Sequence, residues 1–130
     1  MSINYVVIVE PFSERYFIKS FKKKYKGAWD ITWRAQERLF RSFDVLFERN
    51  IAETIVDFPD IKICKTEFTV AGTNMSRHGS GNRCIVALHK KINTIHVLLV
   101  YNKNDIRSRN ETAEWKSIIK ENYPEYRDLL

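Results

Sequence analysis

Residues 79–105 read as a glycine-rich loop followed by two paired strands, and this pattern constrains the fold more than any other part of the chain. The run Arg83–His89 is apolar through most of its length, and Thr94–Asn102 is a longer run of the same kind. Four residues, Lys90–Asn93, connect the two runs, a length typical of an antiparallel hairpin. The sequence therefore predicts a hairpin with one cation entering its first strand and another, Lys103, leaving its second.

The segments before this hairpin begin with a further strand and a pair of helices. Tyr5–Val9 is rich in β-branched residues and stops at a Glu-Pro step. Because this run is apolar on both faces, we place it inside the sheet. Two helices follow, from Ser13 to Gly27 and from Asp30 to about Asn50, and a short turn joins them as an αα-hairpin.

The stretch after the second helix is ambiguous in sequence. Ile51–Asp60 can extend the helix or form a short turn, and its proline makes Phe58 the boundary because a residue before proline disfavours helix. Ile61–Val70 then predicts a strand and Glu111–Asn122 a final amphipathic helix. The order β-α-α-β-β-β-α predicts one α+β domain over residues 1–130. Its sheet is four-stranded and mostly antiparallel, with an N-terminal αα-hairpin and a C-terminal helix on one face.

The composition is that of a globular protein with a basic surface. The 130 residues include 22 Lys and Arg and 16 Asp and Glu, and the resulting charge of +6 favours polyanions or acidic partners. Two cysteines, Cys64 and Cys84, suit neither a disulfide framework nor a metal site, and we expect both to be buried. No signal peptide or membrane-length apolar run is evident, so we expect a cytoplasmic protein that does not bind membranes.

Cations outnumber acids by nine to two between residues 61 and 110, where the acids are Glu67 and Asp105. Arg83 stands beside two glycines, where backbone can approach a phosphate closely, and its planar fork matches phosphate oxygens. This pattern favours a phosphate-bearing ligand. Two alternatives stay open at this point: a solvated basic surface, and a strand-edge arginine paired with a neighbouring carboxylate.

A cationic site without a metal or cofactor motif suits the cleavage of RNA. The sequence has no nucleotide-binding glycine motif, metal-ligand spacing or nucleophile elbow. The 2′-OH of RNA can attack its own adjacent phosphate, so an enzyme need only remove that proton, neutralise the phosphorane and protonate the leaving oxygen. The candidates for the base are His78, Lys62 and Lys65. The candidates for stabilising the phosphorane are Arg77 and Arg83. The candidates for protonating the leaving group or binding the RNA strand are Lys103, Tyr101, Arg107 and Arg109.

The alternation of a strand separates the two candidate lysines. Lys62 and Lys65 face opposite sides of Ile61–Val70 unless a bulge intervenes, so only one of them reaches the site. The face that carries Ile61 and Ile63 reads as core, which favours Lys62. Of the three histidines, the one in the loop, His78, is the candidate base.

The order of elements and several segments resemble the RelE/ParE toxin superfamily, and its RelE/HigB-like ribonuclease branch in particular. The resemblance covers Tyr5 to about Lys120 and is carried by the first strand YVVIV, the helix segment FIKSFKKKYKG, the strand pair GNRCIVAL and TIHVLLVYNKND, and the terminal helix. It implies a metal-free, cofactor-free mRNA endonuclease that acts with the ribosome and is neutralised by a cognate antitoxin. On this resemblance Arg83 matches the phosphate-binding arginine, Lys62 and Lys65 the basic positions of the second strand, and Lys103 the lysine after the last strand.

The chain also departs from that pattern: the loop Ala71–Asn82 and the front helices are long, and the terminal segment differs. Some members of the superfamily carry a catalytic tyrosine in the terminal segment, whereas Asn104–Glu121 contains none. Two alternatives on the same fold therefore stay open: a ParE-like toxin that inhibits gyrase, and a non-catalytic module that binds RNA or protein.

Overall fold

The structure is a computed structural model, and it describes residues 3–106 and 109–130. Its strands are β1 (Val6–Val9), β2 (Ala52–Asp57), β3 (Ile61–Phe68), β4 (Asn82–His89) and β5 (Thr94–Asn102). Its helices are α1 (Pro11–Ser13), α2 (Lys19–Tyr25), α3 (Gly27–Arg41), α4 (Phe43–Glu48), α5 (Arg77–Ser80) and α6 (Glu111–Asn122). A π-helical turn covers Glu14–Ile18, and 3-10 turns cover Lys90–Ile92, Lys103–Asp105 and Pro124–Leu129. Within these ranges no helix has the length and apolar character needed to cross a membrane.

The five strands form one mixed sheet in the order β1-β5-β4-β3-β2, so the predicted four-stranded sheet is one strand short. β1 runs parallel to β5, and the other neighbouring strands are antiparallel. The additional strand, β2, lies in the stretch that is ambiguous in sequence and pairs with β3. The strand conformation of β2 depends on its hydrogen bonds to β3, and the local sequence does not reveal this pairing.

The first strand lies at an edge of the sheet and not inside it, contrary to the prediction. Val7 and Val9 pack against the core, whereas the side chains of Val6 and Ile8 are 56% and 40% exposed. Hydrophobicity on both faces suggested an interior position. The apolar pattern does not reveal that β1 forms backbone hydrogen bonds with only one neighbouring strand, β5.

Helical segments cover both faces of the sheet, so the prediction of helices on one face is wrong. On the first face the helical hairpin packs in a core cluster that includes Phe21, Trp29, Phe40, Cys64, Cys84 and Val97. On the second face α6 and the C-terminal 3-10 turn pack in a cluster that includes Ile63, Ile85, Leu99, Trp115, Ile119 and Tyr126. Both cysteines are buried and free, as predicted. The middle strands are therefore apolar on both sides because both sides are covered.

The first helical segment begins at Pro11 rather than at Ser13, which is fully buried. The π-helical turn inserts an extra residue into this segment, so apolar residues four apart across it no longer share one face. As a result Phe17 packs against the second-face cluster, whereas Phe21 belongs to the first-face cluster.

The second helix differs from the prediction in its start and in its buried face. Lys26 adopts a positive φ of 50° between α2 and α3, so Gly27 begins the second helix rather than ending the first. Ile31, which helical apolar periodicity counted from Asp30 places on the buried face, is 60% exposed. The buried residues of α3 are instead Trp29, Thr32, Gln36 and Phe40. Apolar periodicity missed this face because two of its members are polar, and Thr32 is satisfied there by two 2.8 Å hydrogen bonds to backbone.

Candidate functional site

Three polar side chains form a row across β3, β4 and β5 on the face that carries α6. Glu67 pairs with Arg83 in the sheet register, and Arg83 pairs with Tyr101. Side chains at such positions are direct neighbours, with Cβ atoms about 4.5–5.5 Å apart. Lys65 lies on the same face because it is two residues from Glu67. The first residue of α6, Glu111, contacts the row, and with His78 these six residues form what we call the Arg83 cluster.

Arg83 is the centre of the cluster and is only 4% exposed. Its guanidinium lies between two carboxylates: Nη1 is 3.6 Å from Oε2 of Glu67, and Nε is 3.6 Å from Oε2 of Glu111. Among the described residues, Nε is buried and has no hydrogen-bond acceptor. Of the two possibilities that the sequence left open, this structure has the arginine paired with neighbouring carboxylates.

The hydroxyl of Tyr101 donates a 2.7 Å hydrogen bond to Oε2 of Glu111, and Nζ of Lys65 lies 3.5 Å from the same oxygen. Burial on its own would raise the pKa of Glu111. The Tyr101 hydrogen bond and the charges of Lys65 and Arg83 together outweigh that effect and lower the pKa. Burial and the same hydrogen bond raise the pKa of Tyr101. Glu111 is therefore a charged acceptor and Tyr101 a neutral donor at pH 7.

On the opposite side of Arg83, His78 pairs with Glu67. The ring Nδ1 of His78 lies 3.1 and 3.0 Å from the two carboxylate oxygens of Glu67, while the His78 side chain is 85% exposed. A cleft of about 240 Å³ opens beside this pair, and Arg77 also lines it. A carboxylate on Nδ1 holds the ring in the tautomer that leaves Nε2 free to accept a proton.

Local hydrogen bonds hold the loop that carries His78 against the sheet. Gly79 N donates to Oγ of Ser76 at 3.0 Å, which caps the short helix α5. Ser80 Oγ donates to the Phe68 carbonyl at 2.6 Å, and Asn82 N donates to that hydroxyl at 3.1 Å. The connection between β3 and β4 therefore contains a short helix that is tied to the end of β3.

The two candidate lysines lie on opposite faces of β3, as strand alternation predicts. Nζ of Lys62 lies 4.0 Å from the ring centre of Phe47 on the face of the helical hairpin. Lys65 lies within the Arg83 cluster on the other face. The preference for Lys62 assumed that only the face with Ile63 was core, whereas Cys64 on the other face is equally buried. The geometry thus brings Lys65, and not Lys62, to Arg83.

The remaining candidates lie around or away from the cluster. Arg77 lines the cleft beside His78, and Arg109 is exposed before α6. Lys103 is exposed after β5, and its side chain lies across Gly81, where a Cβ atom would be 3.0 Å from Cγ of Lys103. No ion pair or hydrogen bond of the described residues joins Lys103 or Arg109 to the cluster. Arg107 lies outside the described residues.

Sequence reasoning missed the two carboxylates of the cluster, because it searched for cations. Glu67 had a usable signal: it is one of only two acids between residues 61 and 110, and it shares a strand face with Lys65. Glu111 had no comparable local signal, since an acidic residue in the first turn of a helix has an ordinary explanation in the helix dipole.

The other two histidines contact neighbouring polar groups, His89 at Tyr126 and His96 at Glu10, both at 2.7 Å.

Within residues 3–106 and 109–130, no group of three or more His, Cys, Asp or Glu residues is placed to hold a metal ion.

No protein-family model matches the chain, and no curated protein matches it. Among solved structures, the archaeal RelE–RelB complex from Pyrococcus horikoshii OT3 matches with a TM-score of 0.52 and 14% identity. The match covers 83% of this chain and 100% of the matched chain of that solved structure. The chain therefore has a RelE-like fold.

Proposed function

We propose that this protein is the toxin of a toxin–antitoxin pair and that it cleaves mRNA in the cytoplasm, on the ribosome, without a metal or cofactor. The RelE-like fold supports the toxin assignment, because the matching solved structure is a RelE–RelB complex. By the same analogy we propose that a RelB-like antitoxin is the partner of this chain. Because one fold can serve several functions, only the chemistry of the site can support cleavage.

The observation that carries the proposal is the position of Arg83 between two pairs of proton-transfer groups. On one side is the pair of Glu67 and His78, and on the other is the pair of Glu111 and Tyr101. RNA cleavage by the 2′-OH requires a base, a cation at the phosphate and an acid. The Arg83 cluster contains each of these groups.

The proposed reaction assigns one role to each side of Arg83. Nε2 of His78 takes the proton of the 2′-OH while Glu67 holds Nδ1, and the 2′-oxygen forms a bond to the adjacent phosphorus. Arg83 and Lys65 neutralise the charge of the phosphorane. The bond from phosphorus to the 5′-oxygen breaks, and that oxygen takes a proton from Tyr101. The products are a 2′,3′-cyclic phosphate and a 5′-hydroxyl.

The test is cleavage of RNA by the purified protein, with and without ribosomes, followed by analysis of the new ends. We expect 2′,3′-cyclic phosphate or 3′-phosphate ends, and growth arrest on expression. Arg83→Lys keeps one positive charge but removes the planar fork, so cleavage should fall about 100-fold or more. Undiminished cleavage by this variant would remove Arg83 from the proposed site.

A second candidate function is a toxin or binding module that acts without cleavage. The burial of Arg83 and its pairing with two carboxylates favour it, because the charge of this arginine is already neutralised. Salt-sensitive RNA binding without new RNA ends would support a binding module. Intact messages together with blocked DNA supercoiling in arrested cells would instead support gyrase inhibition.

A further inference from the structure

A single carboxylate oxygen in the Arg83 cluster is surrounded by three donors from three different strands. Oε2 of Glu111 lies 2.7 Å from the hydroxyl of Tyr101, 3.5 Å from Nζ of Lys65 and 3.6 Å from Nε of Arg83. One phenol, one ammonium and one guanidinium are also the donors that bind an oxygen of a phosphate group. The position of this oxygen is therefore suited to a phosphate oxygen as well as to a carboxylate.

The contact with Arg83 is incomplete in the form that the structure shows. At 3.6 Å the Glu111 oxygen is too distant for a good hydrogen bond, and Nε of Arg83 is buried without an acceptor among the described residues. Buried donors in folded proteins almost always have a partner, and an exception calls for an explanation. An incoming oxygen that approaches Nε more closely would satisfy this donor.

The charges of the cluster balance only while Glu111 is in place. Lys65 and Arg83 carry two positive charges, and Glu67 and Glu111 carry two negative charges, so these four groups sum to zero. If the Glu111 carboxylate leaves, the remaining three groups carry one net positive charge. The site then attracts an anion that it does not attract when closed.

We propose that Glu111 holds the place of a phosphate oxygen, and that a phosphate group binds to Lys65, Arg83 and Tyr101 when the Glu111 side chain rotates into solvent. That this phosphate is part of an RNA strand rests on the proposed function. The anion site itself follows from the cluster, and it explains how a ligand gains access to an arginine that is buried in the closed form.

Rotation of Glu111 requires no change in the helix that carries it. Glu111 is the first residue of α6, and its side chain is 26% exposed. The helix is capped independently, because Ala113 N donates to the side chain of Asn110 at 3.0 Å. A rotamer change at Glu111 can therefore move the carboxylate into water while α6 stays on the sheet.

The test measures inorganic phosphate binding to the full chain by titration and by thermal shift, at constant ionic strength with chloride as the reference. Glu111→Gln keeps the size of the side chain and an acceptor for Tyr101 but removes the competing charge. We expect it to bind phosphate at least tenfold more tightly than the unchanged protein. Glu114→Gln removes a charge from the same first turn at an exposed position, and its phosphate affinity should not change.

Two further variants extend the test, and the first of them, by binding phosphate more tightly than the unchanged protein, keeps it decisive if Glu111→Gln is too unstable to titrate. Glu111→Asp keeps the charge on a side chain one methylene shorter, so its phosphate affinity should lie between those of the other two proteins. Arg83→Lys in the Glu111→Gln background should lose most of the gain. Equal phosphate affinity in the unchanged protein, Glu111→Asp and Glu111→Gln would overturn the inference, even if the protein cleaves RNA. Tighter phosphate binding by Glu111→Gln, together with no RNA cleavage by the unchanged protein, would leave the inference standing and reject the proposed function.

Discussion

The hydroxyl of Tyr101 donates a 2.7 Å hydrogen bond to the carboxylate of Glu111, which joins the last strand of the sheet to the first turn of the C-terminal helix. Burial and this bond raise the pKa of the tyrosine, and the bond contributes to lowering the pKa of the carboxylate. The pair therefore carries its proton on Tyr101 at neutral pH. In the proposed reaction that proton is available to the leaving oxygen.

Tyr101→Phe should raise the pKa of Glu111, because it removes the hydrogen bond while leaving the burial that opposes ionisation. We also expect RNA cleavage to fall about 10²-fold or more, since the proposed acid is lost. The carboxyl titration can be followed by NMR with labelled glutamate. A pKa of Glu111 that does not change would show that the hydrogen bond contributes little to it.

His78→Gln should abolish the proposed base with little effect on the fold, because this side chain is 85% exposed. Cleavage should fall about 10²–10⁴-fold, while the free energy of unfolding should change by no more than about 0.5 kcal/mol. Met75→Ala, at another exposed position of the same loop, serves as the control and should cleave normally. Full activity in His78→Gln would move the base to another residue.

The two lysines of β3 form a matched pair for testing which face of the sheet is used. Lys65→Met removes a cation from the Arg83 cluster and should reduce cleavage roughly 100-fold. Lys62→Met removes the contact with Phe47 on the other face, at a cost of about 0.5–1 kcal/mol in unfolding free energy, without reducing cleavage. The comparison of cleavage rates and of urea unfolding decides between the faces. The reverse ranking of cleavage rates would place the site on the face of the helical hairpin.

The stability of the fold should depend on the protonation of His89. Burial, followed by the neighbouring His96, lowers the pKa of His89, while the carboxylates of Glu10 and Glu125 oppose this shift. The His89 ring also contacts the hydroxyl of Tyr126 at 2.7 Å. Since the unfolded chain takes up the proton first as pH falls, neutral His89 contributes stability above about pH 6.5. That contribution is lost as pH falls through the lower pKa of the folded state.

Urea unfolding at pH 7.5, 6.5 and 5.5 measures this dependence. The free energy of unfolding should decrease over the series, and His89→Gln should flatten the decrease. The same slope in both proteins would mean that other groups cause the pH dependence.

Local pattern was sufficient for the central hairpin and the last helix. Thr94–Asn102 and Glu111–Asn122 have the predicted bounds, and β4 begins one residue before the predicted Arg83. The strands are apolar over most of their length, and the last helix carries apolar residues at helical spacing, so neighbouring residues carry enough information to define these segments. The same reasoning failed for α3, where Thr32 and Gln36 occupy the buried face.

The sequence by itself determined the α+β class, the hairpin and the presence of Arg83 at the start of the hairpin's first strand. Only the tertiary structure decided the fifth strand, the edge position of β1, the coverage of both faces, and the meeting of Arg83 with Glu67 and Glu111. The physical reason is that alternation and periodicity report which side of an element is apolar. Which elements become neighbours, and which charges then face each other, depends on strand register and helix packing between segments far apart in the chain.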